Sequence, residues 1–445
     1  MEWIIDISTT LGIFALALLI LVFFHELGHF LAAKLFGMRV ERFSLGFPPR
    51  VWGFEKGGTD YCIGATPLGG YVKISGMIDE SMDTDHLDEE PKPWEYRSKP
   101  VWQRMIVITA GVIFNMILAV LIFGGIAFTS GETKIANESV SGIYVAENTL
   151  AHDIGFRTGD RIIGVNNQNV SFFNELFSPA QLTESDVTYT VMRNGSEVTV
   201  ALPDSALDRI NKEGFISLAN ALPSKVSRVE EGTPADEAGL QGGDRITSIN
   251  GEPVDYWIQL TQIIQSSKDS VNLTVGRSGE SLQYRVALSS NNTIGIYAPD
   301  PNEEFDVRRF KYGMFESFGV GVQRTEEVFT GIIQGFEKMF AGSISVRDNL
   351  GGPVAIASIT KDATERGGMI GFWNITALLS VTLAIMNILP IPVLDGGHLM
   401  FLIYEGITRK EPSPKVRMAL QQIGFLLIIA LFIFVTFNDI LRQFG

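Results

Sequence analysis

Leu11-GIFALALLILVFFHELGHFLAAKLFG-Met38 is an apolar run of membrane-spanning length, interrupted by one polar motif, His25-Glu26-Leu27-Gly28-His29. In a helix, residues four apart share a face, so the imidazoles of His25 and His29 can point at one metal ion. Glu26, beside the first histidine, is then placed to act as a general base on water. An acidic residue at membrane depth is costly and is a functional hypothesis by default. The stretch predicts hydrolysis within the bilayer or at its edge.

Three further apolar stretches accompany it: Met105–Phe128, Phe372–Leu389 and Met418–Phe437. Each approaches the roughly 20 residues that a helix needs to cross about 30 Å of hydrocarbon. Only 19% of residues are charged, and mean hydropathy is +0.19. The expected class is a polytopic helical membrane protein with four transmembrane helices. The first stretch is too long for a cleaved leader and carries Glu2 and Asp6 where a basic segment would stand. Lys34, Arg39, Arg42, Arg97, Lys99 and Arg104 lie between spans one and two, and Arg409, Lys410, Lys415 and Arg417 between spans three and four. By the positive-inside rule those two loops face the cytoplasm, while both termini and the long middle segment face outward. The active site then lies toward the cytoplasmic side. The net charge of −15 argues against nucleic acid as a partner. Cys62 is the only cysteine, so no disulfide forms within the chain.

The middle segment contains a repeat. Val145-AENTLAHDIGFRTGDRIIGVNNQN-Val170 aligns without a gap to Val229-EEGTPADEAGLQGGDRITSINGEP-Val254, and at the same offset Val187-TYTVMRNG aligns to Val271-NLTVGRSG. The shared pattern, with Gly-Asp-Arg-Ile and a following Asn, resembles PDZ domains of bacterial envelope proteases, which take up a peptide as an added strand. The first copy departs at Leu150 and Asn167, where the second has Pro234 and Gly251, and its peptide groove is the weaker candidate.

A catalytic zinc takes three protein ligands and keeps one position open. The third is sought in Asn387-ILPIPVLDGGH-Leu399, where Asp395 stands among Pro390, Pro392, Gly396 and Gly397. Irregular backbone at membrane depth occurs where it lines a cavity or is buried in protein, so an unwound turn could deliver Asp395 to a metal. The alternative is an N-cap for the following helix. His398 and Asn115 are polar residues close to this chemistry in sequence or depth. His398 reads as a neighbour of the metal rather than a ligand, and Asn115 as an interhelical hydrogen bond or a cavity lining. Residues 79–95 read as an acidic loop. Residues 307–341, with aromatics at helical spacing among charges, read as an amphipathic helix lying on the lipid surface or packed on protein.

His25-Glu-Leu-Gly-His29 together with the Asn387-to-Gly396 motif resembles the site-2 protease family of intramembrane zinc metalloproteases, specifically its bacterial branch with two PDZ domains. The resemblance implies Zn2+ on His25, His29 and Asp395, with Glu26 activating water. It implies that Asn387 and a membrane-associated β-element containing Gly69, Gly70, Tyr71 and Val72 hold an unwound substrate. The substrate implied is a single-span membrane protein, such as an anti-sigma factor already trimmed outside or a remnant signal peptide, with membrane lipid as surroundings. The domain plan expected is 1–134 (spans one and two, with the β-region at about 45–77), 135–220 and 221–300 (the PDZ pair), 301–371 (amphipathic helix and connecting loop) and 372–445 (spans three and four). Two other readings remain from the residues alone. One is a non-proteolytic membrane scaffold that binds envelope peptides through the PDZ pair. The other is a metal transporter, which the lack of repeated spans disfavours.

Overall fold

The computed structural model describes residues 2–77, 90–177, 181–182, 186–203, 205–289, 291–342 and 351–444, so most of the acidic stretch expected at 79–95 lies outside the described residues. The chain divides into two units. One comprises residues 1–130, 311–333 and 346–445, and the other residues 131–310 and 334–345.

In the first unit, helix α1 (Glu2–Leu35) leads directly into strand β1 (Val40–Lys56), which turns at Gly57-Gly58 into β2 (Thr59–Ile74). This β-element is wider than a simple hairpin. Arg42–Leu45 are partnered on one side by Asp60–Ile63 and on the other by Gly70–Lys73, while Arg50–Lys56 pair with Thr59–Gly64. The Gly70–Lys73 segment is therefore an edge, with no further strand beside it among the described residues. The element starts five residues earlier than composition indicates, because Val40 and Phe43 are already buried in a core shared with Ala33, Val72, Ile74 and Val107.

Helix α2 (Val101–Ser130) packs tightly against α1. At Gly28 an added Cβ would lie 2.3 Å from the Ala110 carbonyl oxygen, so the glycine inside the histidine motif is what lets the two helices touch. Helix α3 (Met314–Phe340) meets α2 through another small pair: a Cβ on Gly321 would fall 2.3 Å from the Val120 carbonyl oxygen and 2.8 Å from the Gly124 nitrogen. It leaves Met314, Phe315, Phe318 and Val322 exposed, so one side is packed and the other is apolar and uncovered.

Helix α4 spans Pro353–Ile388 and begins well before the expected third span. Its polar first half escaped a reading based on hydropathy. It breaks at Gly368, whose φ of 56° favours glycine. Its N-terminus is held by Asp439, whose two carboxylate oxygens accept from the amides of Gly352 (3.0 Å) and Ala355 (2.9 Å). A carboxylate there satisfies orphan donors and complements the helix dipole. After the turn at Pro390–Pro392 come α5 (Asp395–Thr408) and α6 (Pro414–Phe444). Buried Arg104 of α2 pairs with Glu405 and ties α5 in place. Among the described residues, four helical segments are long and apolar enough to cross a membrane: Ser8–Leu35, Val101–Ser130, Pro353–Ile388 and Lys415–Asp439.

The second unit is closed at its base by β3 (Glu132–Ile135), which pairs with β12 (Val307–Phe310). That pairing makes Val307–Phe310 strand where helix was expected to begin. Between them lie two lobes. The first carries β4 (Arg161–Val165), β5 (Gln168–Asn169), β6 (Thr188–Arg193) and β7 (Ser196–Ala201), in the order β5-β4-β6-β7. The second carries β8 (Arg245–Ile249), β9 (Glu252–Pro253), β10 (Ser270–Arg277) and β11 (Glu280–Ala287), in the matching order β9-β8-β10-β11. The sequence repeat is thus a structural one, with an apolar core in each lobe. Its shared residues have structural jobs. Asp160 binds the guanidinium of Arg193 and Asp244 that of Arg277, each carboxylate being buried. Asn166 and Asn250 adopt positive φ at the turn and accept from the backbone amides of Thr188 and Asn272. In the second lobe a small cleft of about 90 Å³ lies between the helix Trp257–Ser266 and residues Asn292–Ile296.

Candidate metal centre and active site

His25 and His29 sit one turn apart on α1, as their spacing predicts, and both face α2. The Nδ1–H of His29 donates to the Val107 carbonyl oxygen at 2.8 Å, which turns its Nε2 toward His25. His25 is approached on its Nδ1 side by the Asn115 amide at 3.3 Å. Between them, at Gly111, an added Cβ would lie 2.4 Å from His29 Nε2 and 2.7 Å from His25 Cε1. Val107, Gly111 and Asn115 follow one another at four-residue spacing, so one face of α2 forms the seat for both imidazoles.

Asp395 completes the group. It is the first residue of α5, while Leu394 occupies the N-cap position without a side-chain bond, so the aspartate does not serve as the cap. Its Oδ2 lies 3.3 Å from His25 Nε2 and 3.4 Å from His29 Nε2, and the two Nε2 atoms are 3.2 Å apart. Ligand atoms set tetrahedrally about 2.0–2.1 Å from a zinc ion stand roughly 3.3–3.4 Å from one another. The triangle has that size. Asp395 Oδ2 is also buried without a hydrogen-bond donor, an arrangement that a bound cation would satisfy. Two imidazoles and a carboxylate are a donor set suited to zinc, and these three residues could hold it.

The glycines after Asp395 are required by packing. A Cβ on Gly396 would fall 2.2 Å from the carbonyl oxygens of Ile388 and Leu389, and one on Gly397 would fall 2.4 Å from that of Ile391. The unwound turn thus lies directly on the start of α5, which fixes where Asp395 emerges.

Glu26 shares the same cavity, of about 410 Å³, with the three candidate ligands, Tyr71, Val72, Lys73, Val393 and His398. The Val72 amide faces the Glu26 carboxylate. Gly70 lies against α1, where a Cβ would meet Val22 Cγ1 at 2.8 Å. Tyr71 accepts from Arg42 and stacks on Phe47, and Gly69 packs on the same Phe47 ring. The β2 edge therefore runs along the histidine motif. Asn387, at the end of α4, brings its Nδ2 within 3.5 Å of His25 Nε2. His398 lines the cavity but is outside the three-atom cluster.

Sequence reasoning brought together His25, Glu26, His29, Asp395, Asn387 and the Gly69–Val72 segment, and the fold gathers all of them. It missed Val107 and Gly111, which make the seat for the histidines. Gly111 stands four residues before Asn115 in the uncharged stretch Met105–Phe128, and that spacing was the available signal.

Comparison with known proteins gives the family. Residues 13–431 match peptidase family M50. The regulator of sigma E protease of Haemophilus influenzae is 32% identical over 454 residues, covering 97% of this chain and 99% of that protein. The regulator of sigma-E protease of Escherichia coli K12 is 30% identical over 459 residues, covering 97% and 98%. A candidate zinc metalloprotease of Neisseria meningitidis is 31% identical over 458 residues, covering 98% of this chain and all of that protein. A match that runs from the first span to the last, over a chain whose two histidines and one aspartate converge at zinc-ligand spacing, makes this a member of peptidase family M50, the site-2 protease family, and a zinc metalloprotease.

Proposed function

We propose that the chain is an intramembrane endopeptidase that cuts single-span membrane proteins within their transmembrane segment. The observation that carries this is the meeting, in one cavity, of a triangle of candidate ligands, a carboxylate and a strand edge with no further strand beside it among the described residues. His25, His29 and Asp395 hold the zinc. Bound zinc supplies Lewis acidity, polarising a carbonyl and favouring a water nucleophile near neutral pH. Glu26 accepts the proton of the attacking water and delivers it to the leaving amine. A helical substrate hides its carbonyls in its own hydrogen bonds, so it must unwind before it can be cut. The Gly70–Lys73 edge receives the unwound segment by strand addition, and Asn387 holds its backbone beside the ligands.

The names of the Haemophilus and Escherichia relatives tie them to sigma-E regulation, which supports an anti-sigma factor already trimmed outside as the substrate; remnant signal peptides are a second class. The two lobes are PDZ domains by their shared motif and matched sheets, and they act as a size filter against untrimmed partners. Ile135 and Val307 are antiparallel partners, so the segment 136–306 can be replaced by a two-residue Asn-Gly turn. Purified native chain should cut a trimmed single-span tester inside its apolar segment, located by mass spectrometry, and should spare a tester with a folded outer domain. The excised form should cut both. A cut outside the apolar segment removes the intramembrane reading, and continued sparing of the untrimmed tester by the excised form removes the filter.

The clusters of Lys and Arg near Arg39, Arg97 and Arg409 support a cytoplasmic position for those loops, with both termini and the lobes outside and the active site toward the cytoplasm. Cysteines introduced at Ser98 and Ser413 should react with a membrane-impermeant thiol reagent only in inside-out vesicles. Reaction from the outer face would reverse the topology.

A further inference from the structure

Asn115 is fully buried in the middle of α2, and its backbone carbonyl accepts from Ser380 Oγ of α4 at 2.8 Å. Its amide stands at 3.3 Å from His25 Nδ1, with Nδ2 on the histidine side and Oδ1 buried without any partner. His29 offers the comparison. Its Nδ1 meets the Val107 carbonyl oxygen, which can only accept. That bond fixes the proton on Nδ1 and leaves the Nε2 lone pair facing the triangle. His25 has the same need, because a neutral imidazole carries one proton and its Nε2 also faces the triangle. Only an acceptor opposite Nδ1 meets it. The two ends of a carboxamide are nearly alike in size, so half a turn of the Asn115 side chain puts the orphan Oδ1 there. The amide then exchanges an unmet acceptor for an unmet donor, and the net gain is the tautomer of His25.

We propose that Asn115 is a positioning residue for the metal centre: its amide oxygen accepts from His25 Nδ1–H, completing on α2 a pair of acceptors that Val107 begins. The proposal rests on His25 being a zinc ligand, and it assigns α2, which supplies no ligand, the task of setting both imidazoles. An ordinary interhelical bond is the competing account.

The two accounts order the same variants in opposite ways. Asn115→Leu keeps the branching of the side chain but removes the acceptor. Asn115→Asp keeps an acceptor but buries a carboxylate. With full-length protein in detergent, Asn115→Leu should raise the zinc dissociation constant about 10- to 100-fold. It should also shift the visible absorption of the Co2+-loaded form, which reports the ligand field. Asn115→Asp should bind zinc within a few-fold of native. Native-like zinc affinity in Asn115→Leu overturns the proposal, and so does equal loss in both variants. His25→Ala is the control for the underlying reading. If it loses zinc while Asn115→Leu does not, only the role of Asn115 falls. If His25→Ala binds zinc like native, the ligand set itself is wrong.

Discussion

Glu26→Gln should retain zinc at the native stoichiometry while kcat for a trimmed tester falls on the order of 10³- to 10⁴-fold. Glutamine keeps the shape of the side chain in the cavity that Glu26 shares with His25, His29 and Asp395, so binding of a tester should survive. What is lost is proton acceptance from water and its return to the leaving amine. The separation of the two readouts is the point of the variant. A side chain that only packed between α1 and the β2 edge would change affinity for substrate and leave kcat nearly intact. Cleavage at the native rate would remove the general base from the proposed mechanism.

Gly111→Ala should act in the opposite sense, removing metal while sparing the fold. The new methyl group would lie 2.4 Å from His29 Nε2 and 2.7 Å from His25 Cε1, well inside contact distance. The groups that must shift are the two imidazoles themselves, the side chains proposed to bind zinc. Alanine is also the better helix former by about 1 kcal/mol. The metal-free variant should therefore melt at or above the temperature of metal-free native chain. Its zinc affinity should drop on the order of 100-fold, and activity should follow occupancy. Equilibrium dialysis with zinc and thermal unfolding of the metal-free forms check the two halves. Native-like zinc affinity would show that α2 does not set the imidazoles.

How much of this could be read in the residues depends on where the chemistry is carried. His25, Glu26, His29 and Asp395 are proposed to act through side chains, so their types and spacing could announce them. The histidine seat acts through a carbonyl at Val107 and an absence at Gly111, and neither has a residue type that signals a metal centre. The same holds for the β-element. Alternating apolar residues and glycines marked it as strand, but the double pairing of Arg42–Leu45, which exposes the Gly70–Lys73 edge, is a matter of register. The polar half of α4 escaped because Lys361, Asp362, Glu365 and Arg366 interrupt its hydropathy, and its start is secured by Asp439, far along the chain. The matching sheet orders of the two lobes go with signature residues that are also structural ones: Asp160 and Asp244 bind Arg193 and Arg277.

The proposed ligand set is split between the two ends of the sequence. Two ligands are on α1 and the third begins α5, so almost the whole chain separates them. Synthesis runs from the N-terminus, and His25 and His29 enter the bilayer long before Asp395 exists. A chain stalled on the ribosome, or broken anywhere in that interval, holds two of the three ligands and lacks the turn that seats the third. Order of synthesis alone thereby leaves an unfinished copy one proposed ligand short.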